Sequence, residues 1–406
     1  MTSARLPNPV IVIVAGCLIA LLGFGARSAF GLFLEPMTLA RGWDRETFSV
    51  AMALQNLAWG IGVPLASMLA DRYGPTRVLG GGALVYALGI LGMASFDSVA
   101  ALYVFGGLLT GSGIALTSFS IALAAMAKAV DERRQSFILG VGTASSSLGQ
   151  VIFSPVTQLF IANYGWSSAL IALAATAVLI LPLALLLPGV TNGTRPHEAD
   201  QSIREAIEEA LKHRGYLLLT IGFFVCGFHV AFITVHFPSY VSDLGLPAHV
   251  GALSLSLIGL FNILGAFLSG VAGARFSKKL GLATIYAVRA LVITLLMLAP
   301  KTPTTIYLFA ACMGVLWLST VPLTSGIVAQ VFGVRYMATL FGIVFFSHQL
   351  GSFSGIWLGG FLYDRTGSYD IVWWSGVALS IAAMLIHLPI DERPLARPKP
   401  TTRQFA

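Results

Sequence analysis

Twelve apolar stretches follow one another along this 406-residue chain, each long enough to cross a bilayer. A hydrocarbon core of about 30 Å needs about 20 apolar residues at the helical rise. No water is available there to satisfy the backbone, so such spans are expected to be helices. They are placed near residues 10–35, 47–70, 77–96, 99–127, 135–162, 166–188, 215–241, 250–273, 281–299, 304–331, 336–363 and 370–389. The second six read as a rough copy of the first six, and repeated six-helix halves point to a secondary transporter. The expected fold is an all-α membrane protein with twelve transmembrane helices in two pseudo-symmetric six-helix bundles.

Composition agrees with lipid as the solvent. Only 10% of residues are charged and 56% are hydrophobic, where a soluble domain carries about 25% charged residues. Many of the 43 glycines lie inside apolar runs, such as Gly80-Gly81-Gly82 and Gly359-Gly360, where small residues let helix backbones approach. Cys17, Cys226 and Cys312 all fall within spans, which argues against an extracellular disulfide framework. Arg5 is the one basic residue before the first apolar run, and no small-residue cleavage site follows closely, so residues 10–35 read as a retained helix.

The net charge of +7 is explained by placement. With the N-terminus inside, the outer loops hold only Arg41, Arg45, Lys301 and Arg365, and Arg27 and Arg289 lie within spans. The other basic residues are cytoplasmic. The positive-inside rule therefore predicts both termini in the cytoplasm of a cell with this protein in its inner membrane. Nucleic acid is not needed as a partner. Lipid is, and a monomer is expected.

Residues 1–189 form the first expected bundle and 215–390 the second. Between them the polar stretch 190–214 carries Ile203, Ile207 and Leu211 at four-residue spacing among charges, the pattern of a short amphipathic helix on the cytoplasmic face. Residues 391–406, rich in Pro, Arg and Thr, read as a disordered cytoplasmic tail. The halves also repeat locally. Arg134-Gln135-Ser136-Phe137 and Leu148-Gly149-Gln150 in the first half correspond to Arg335-Tyr336-Met337-Ala338 and Leu350-Gly351-Ser352 in the second, at nearly the same offset.

Asp71-Arg72-Tyr73-Gly74 resembles the short 2–3 loop motif of the major facilitator superfamily. The Arg335-to-Gly342 start of helix 11, its Tyr363-Asp364-x-x-Gly367 exit and the Arg27-Ser28 pair ahead of Phe33-Leu34-Glu35 are similar to its monocarboxylate-porter and oxalate–formate antiporter-like branch. The resemblance spans about residues 10–388. It implies a central cavity lined by helices 1, 4, 7 and 10 with parts of 2, 5, 8 and 11. It also implies alternating access by rocking one half against the other. The branch usually carries an Asp and an Arg one turn apart on helix 8, and Asn262 and Ala266 stand at those places. Both charges are absent, which separates this chain from the branch's proton-coupled lactate mechanism. A histidine or the substrate's own carboxylate is the remaining route for a coupling proton, and uniport stays open.

Arg27 is the leading candidate for chemistry. An intramembrane cation is costly and marks a functional site by default, and a guanidinium can grip a carboxylate with two hydrogen bonds. Its structural alternative is a bond to helix-end carbonyls. Arg289 lies on helix 9, expected to be peripheral, so a structural or snorkelling role leads there. His229 and His236 are two turns apart and share a face, and His348 lies on helix 11. Each is a candidate to bind substrate or take a proton, against interhelical bonding. Gln55, Asn56, Thr117, Gln150 and Asn262 are polar candidates for substrate contact, although most such side chains bond between helices. Trp59, Phe119, Phe228, Phe261, Trp317 and Phe345 are candidates to shape the cavity or stack on a ring. Asp71, Arg72, Arg77, Arg134 and Arg335 are assigned to gating, as charge pairs that clasp one side of the carrier. Two cysteines on apolar faces point to packing, with metalloid binding as the alternative. No metal site, cofactor or catalytic residue is expected.

The leading reading is a carrier of a small organic acid anion held by Arg27. The runner-up keeps the fold and takes a neutral heteroaromatic solute such as riboflavin or another vitamin, or exports a drug or metalloid. A sensor in carrier form would need a larger soluble output domain. The chain has no Gly-x-Ser-x-Gly elbow, His-Glu-x-x-His site or Walker loop, so hydrolysis and ATP use find no support.

Overall fold

The computed structural model describes residues 8–187, 202–333 and 336–395. These residues are helical almost throughout, and none of them forms a strand. Helix α1 runs Pro9–Arg41, α2 Arg45–Tyr73, α3 Pro75–Ser95 and α4 Val99–Lys128. Next come α5 (132–164) and α6 (166–184), then α7 Arg214–Asp243, α8 Ala248–Arg275, α9 Lys278–Leu298 and α10 Pro303–Phe332. The order closes with α11 Met337–Thr366 and α12 Asp370–His387. Ten helices among the described residues are long and apolar enough to cross a membrane, with the α5–α6 rod counted as one.

Local chemistry sets the helix ends. Asn8 accepts from the Val10 N–H at 3.0 Å and Pro9 opens α1. Asp44 caps α2 through the Thr47 N–H at 2.8 Å. Both use a side-chain oxygen for a donor that the helix cannot satisfy itself. The α5–α6 junction is sharper than the expected three-residue gap. Only Gly165 breaks the rod, at φ 80° and ψ 163°, a conformation that glycine adopts without a Cβ clash. The first helix runs past its expected end at residue 35. It tightens into a 3₁₀ turn at Phe30–Phe33 and continues to Arg41.

Two helices are interrupted at corresponding depths. α4 carries a wide π-helical stretch, Leu102–Leu109, and breaks at Thr117–Ser118. α10 breaks between Leu316 and Thr320. Such interruptions leave backbone groups that side chains must satisfy in a dry interior.

Residues of the α2–α3 turn and α6 meet where Thr76 donates to the Leu187 carbonyl at 3.3 Å. The α8–α9 turn and the end of the chain meet where Glu392 accepts from Ser277 and from the Lys279 N–H at 2.8 and 2.7 Å. This end of the molecule is called the terminal end, and the opposite one the far end. One large apolar core belongs almost wholly to α7–α12. A second, around Phe33, Phe48 and Tyr86, also takes in Ala231, Val235 and Ile356 from the second half. A third, around Val12, Leu79 and Ile180, stays within the first half near the terminal end. Outward stripes such as Leu84, Leu88 and Leu91 on α3 and Leu291, Leu295 and Leu298 on α9 are exposed, as a lipid-facing surface requires.

The linker helix Ile203–Lys212 starts with a capping box. Glu205 N–H donates to Ser202 at 3.3 Å and Ser202 N–H donates to the Glu205 carboxylate at 2.7 Å. These bonds hold the Glu205 carboxyl below its usual range. Ala206 and Ala210 are buried and Ile207 packs on the second-half core, while Ile203 and Leu211 are exposed. Residues 396–406 lie outside the described residues.

Candidate functional site

Arg27 sits one turn before the 3₁₀ tightening of α1 and is half-buried. One nitrogen, Nη2, donates to Asn56 Oδ1 at 2.9 Å. The guanidinium carbon lies 4.2 Å from the Trp59 ring centroid and 5.6 Å from that of Phe24. No carboxylate among the described residues pairs with it. Nε and Nη1 have no protein partner, and neither is sealed from solvent. The cation is thus held by one amide and one ring face, with two donor nitrogens open.

Around it a hydrogen-bonded network joins the two halves. Asn56 anchors itself through Nδ2 to the Met52 carbonyl at 2.9 Å, and its own carbonyl accepts from Gln349 Nε2 at 3.0 Å. Gln349 Oε1 therefore faces His348 Nδ1 at 3.0 Å, and that nitrogen must carry the hydrogen. Gly60 makes this approach feasible, since a Cβ there would lie 2.8 Å from the Gln349 Cβ. The His348 ring stacks on Phe345 at 5.5 Å, and Phe345 meets Trp59 edge-on at 5.5 Å. Of the candidates read from sequence, Arg27, Asn56 and His348 thus come together, with Gln349 as the unexpected link.

The remaining candidates are spent on helix packing. Gln55 Nε2 donates at 2.9 Å to the Gly106 carbonyl, in the π-helical stretch of α4. Thr117 bonds back to the Gly113 carbonyl at 2.8 Å, at the α4 break. Gln150 donates to the Leu255 carbonyl at 3.0 Å and ties α5 to α8. Asn262 donates to Ser147 at 3.0 Å and accepts from the Leu318 N–H at 3.1 Å, capping the α10 break. His229 and His236 do share a face, but it is packed against neighbouring helices. His229 Nε2 bonds the Gly376 carbonyl of α12 at 2.9 Å, and His236 Nε2 bonds the Ile356 carbonyl of α11 at 2.8 Å. Both rings are buried, and their bonds go to helix carbonyls rather than to the Arg27 network.

Arg289 points into the protein and does not snorkel. It is fully buried and donates to the Leu316 and Trp317 carbonyls at 2.7 and 2.6 Å, the groups freed by the α10 break. Cys226 lies beside it, 3.2 Å from the Thr320 hydroxyl. No group of three His, Cys, Asp or Glu side chains suited to a metal occurs among the described residues.

The far end is locked by charge. Arg45 at the start of α2 grips Asp243 of α7 with two nitrogens, at 2.6 and 2.7 Å, and donates to the Tyr369 hydroxyl at 2.8 Å. Burial lifts the Tyr369 phenol above its usual pKa. It stays protonated and donates to His236 Nδ1, 3.1 Å away. Asp364 of α11 accepts from the Arg45 and Glu46 N–H groups at 3.1 and 2.6 Å, so its charge sits on the N-terminus of α2. Glu46 in turn receives Trp357 at 3.2 Å and Arg365 at 3.4 Å. Beside this latch lies a cavity of about 500 Å³ bordered by Glu35, Trp43, Asp44, Asp243 and Asp364. None of the latch residues was expected to gate from sequence. The repeated exit motif containing Asp364 was the available signal.

The terminal end is different. Asp71, Arg72, Arg77 and Arg134 are exposed, and the one ion pair among them, Asp71 with Lys128 at 3.9 Å, stays within the first half. Arg335 lies outside the described residues. A Cβ at Gly31 would collide with the Thr234 carbonyl and one at Gly360 with Ser49, so the halves touch closely toward the far end. A Cβ at Gly140, Gly270 or Gly342, toward the terminal end of α5, α8 and α11, would meet nothing within 4 Å. These three glycines face open space.

The family model for the Major Facilitator Superfamily matches residues 16–355 and 252–406. Over 383 residues the chain is 25% identical to monocarboxylate transporter 13 of Bos taurus, covering 93% of this chain and 89% of that one. It is 22% identical over 359 residues to the uncharacterized MFS-type transporter YcxA of Bacillus subtilis (strain 168), covering 85% and 86%. Among solved structures it resembles a D-xylose–proton symporter with a TM-score of 0.73 at 16% identity, covering 96% and 100% of the two chains. It also resembles a nucleoside transporter with a TM-score of 0.78 at 13% identity, covering 93% and 99%. These two likenesses concern the fold alone. The chain belongs to the Major Facilitator Superfamily and is a multi-pass membrane transporter, not an enzyme.

Proposed function

We propose that the protein is a secondary carrier of a small organic acid anion of the monocarboxylate type. It works by alternating access across the inner membrane with both termini in the cytoplasm. The reading includes twelve crossings in two six-helix bundles, 1–189 and 215–390, with α5, α6 and α11 each counted as a span. The observation that carries the reading is the half-buried Arg27 guanidinium, held by Asn56 and Trp59 with two donors open and no acidic partner among the described residues. A carboxylate supplies the missing charge, and the relatives' printed names agree with that class. A paired far end and a terminal end whose charges make no bond between the halves support an inward-facing state. His348, joined to Arg27 through Gln349 and Asn56, is the residue in this network suited to carry a coupling proton.

Uptake of labelled pyruvate into proteoliposomes, for the parent protein and Arg27→Gln, tests this. Saturable uptake by the parent and background uptake by the variant is the expected result. The ring row beside Arg27 favours one alternative, a neutral heteroaromatic cargo such as riboflavin. Riboflavin transport that survives Arg27→Gln, with no acid transported, establishes that alternative.

A further inference from the structure

Opposite the open guanidinium, the site is built of rings. Trp59 lies under Arg27 and meets Phe345 edge-on. Phe345 stacks on His348 with the planes 11° apart. His348 tilts against Phe223 at 5.1 Å, and Phe223 packs on Phe341 at 6.1 Å. Phe24, three residues before Arg27 on α1, closes the near side, 5.6 Å from the guanidinium. Phe24, Phe341 and Phe345 are only partly buried, so ring surface remains available.

The polar content is sparse and one-sided. Asn56 and Gln349 have amide nitrogens committed to the Met52 and Asn56 carbonyls. No Asp or Glu among the described residues contacts Arg27, Asn56, His348 or Gln349. An ammonium group would therefore lose its hydration without gaining an anion. A sugar or a dicarboxylate would leave polar groups equally unmatched.

We infer that the preferred cargo is an aryl monocarboxylate without an amino group, its carboxylate on Arg27 and its ring among Trp59, Phe345 and Phe24. The inference rests on the organic-anion reading and narrows it. Offset and edge-on ring contacts reward a flat π-system over a short aliphatic chain. Phe345 is then a specificity-determining residue, because it offers a ring without touching Arg27's anchoring bond.

The test is calorimetric titration of the purified full chain with phenylacetate, L-phenylalanine and lactate, for the parent, Phe345→Leu and Arg27→Gln. Phenylacetate is expected to bind at least about tenfold more tightly than either competitor. Phe345→Leu is expected to erase most of that preference while lactate affinity holds. Trp59→Phe, which keeps a ring, is expected to retain it. Lactate binding as tightly as phenylacetate, with both lost in Arg27→Gln, overturns the aryl preference and leaves the anion reading standing. Phenylalanine binding as tightly as phenylacetate overturns the exclusion of an amino group. Acid binding unchanged in Arg27→Gln overturns the anion reading itself and this inference with it.

Discussion

The two ends of the molecule use charge in opposite ways. At the far end Arg45, Glu46, Asp243, Asp364 and Arg365 join α2 of the first half to α7 and α11 of the second through close, geometrically matched pairs, with the Arg45 side chain the most buried of them. At the terminal end Asp71, Arg72, Arg77 and Arg134 point to solvent, and no bond among them crosses between halves. Charge abundance therefore says little about where a carrier is held shut. Depth and pairing geometry decide it, because an exposed pair at nearly 4 Å is worth at most a fraction of a kcal/mol while a bidentate one is worth several-fold more.

Removing the latch arginine should erase most of this difference. Arg45→Ala removes the bidentate bond to Asp243 and the contacts to Tyr363 and Tyr369 together. The expected loss is about 2–3 kcal/mol of far-end closure, on the order of 30- to 160-fold in population. A cysteine replacing Val235, in a background with Cys17 and Cys312 changed to Ser, reports it. Val235 packs in the far-end seam, and its thiol should be unreactive in the parent and readily labelled in the variant. A wedge gives the same readout without touching charge. Gly31→Leu places side-chain atoms against the Thr234 carbonyl and should cost about 1–3 kcal/mol of closure. Labelling of the Val235→Cys site that stays at the parent rate in both variants contradicts the latch.

Smaller effects sharpen the comparison. Asp364→Asn keeps an acceptor for the α2 N-terminus but removes its charge, for about 0.3–1 kcal/mol. Arg365→Ala removes a 3.4 Å pair that is half-exposed, and less than about 0.5 kcal/mol is expected. Asp71→Asn should leave the melting temperature unchanged, since its 3.9 Å pair with Lys128 is open to solvent. A drop in melting temperature for Asp71→Asn as large as that for Arg45→Ala would mean that the terminal end is also clasped.

The helical scaffold was legible because apolar runs and capping residues such as Asn8 and Asp44 act locally. Arg27 and Arg289 were legible because a cation inside an apolar run is conspicuous. Their separate fates were readable only from the expected place of each helix in the family fold, and the α10 carbonyls that hold Arg289 were invisible until the break at Trp317 was seen. The latch was missed because Arg45 and Asp243 are far apart in sequence and each looks like an ordinary loop charge. Gln349 follows His348 directly, and neighbours on a helix point about 100° apart, so sequence spacing favours only one of them at the cavity. The network needs both, since the amide bridges the imidazole to Asn56. His229 and His236 share a face as the helical spacing implied, but Gly376 and Gly359 let α12 and α11 close over that face.

The most direct measurement is a thermal-shift titration of the purified protein with pyruvate and with phenylacetate, with Arg27→Gln and Arg27→Lys alongside. A ligand that binds only the folded carrier raises its melting temperature with concentration. A concentration-dependent rise in the parent, absent in Arg27→Gln and weakened in Arg27→Lys, is predicted from the open guanidinium. An equal rise in all three proteins would contradict it and leave Arg27 with a structural task alone.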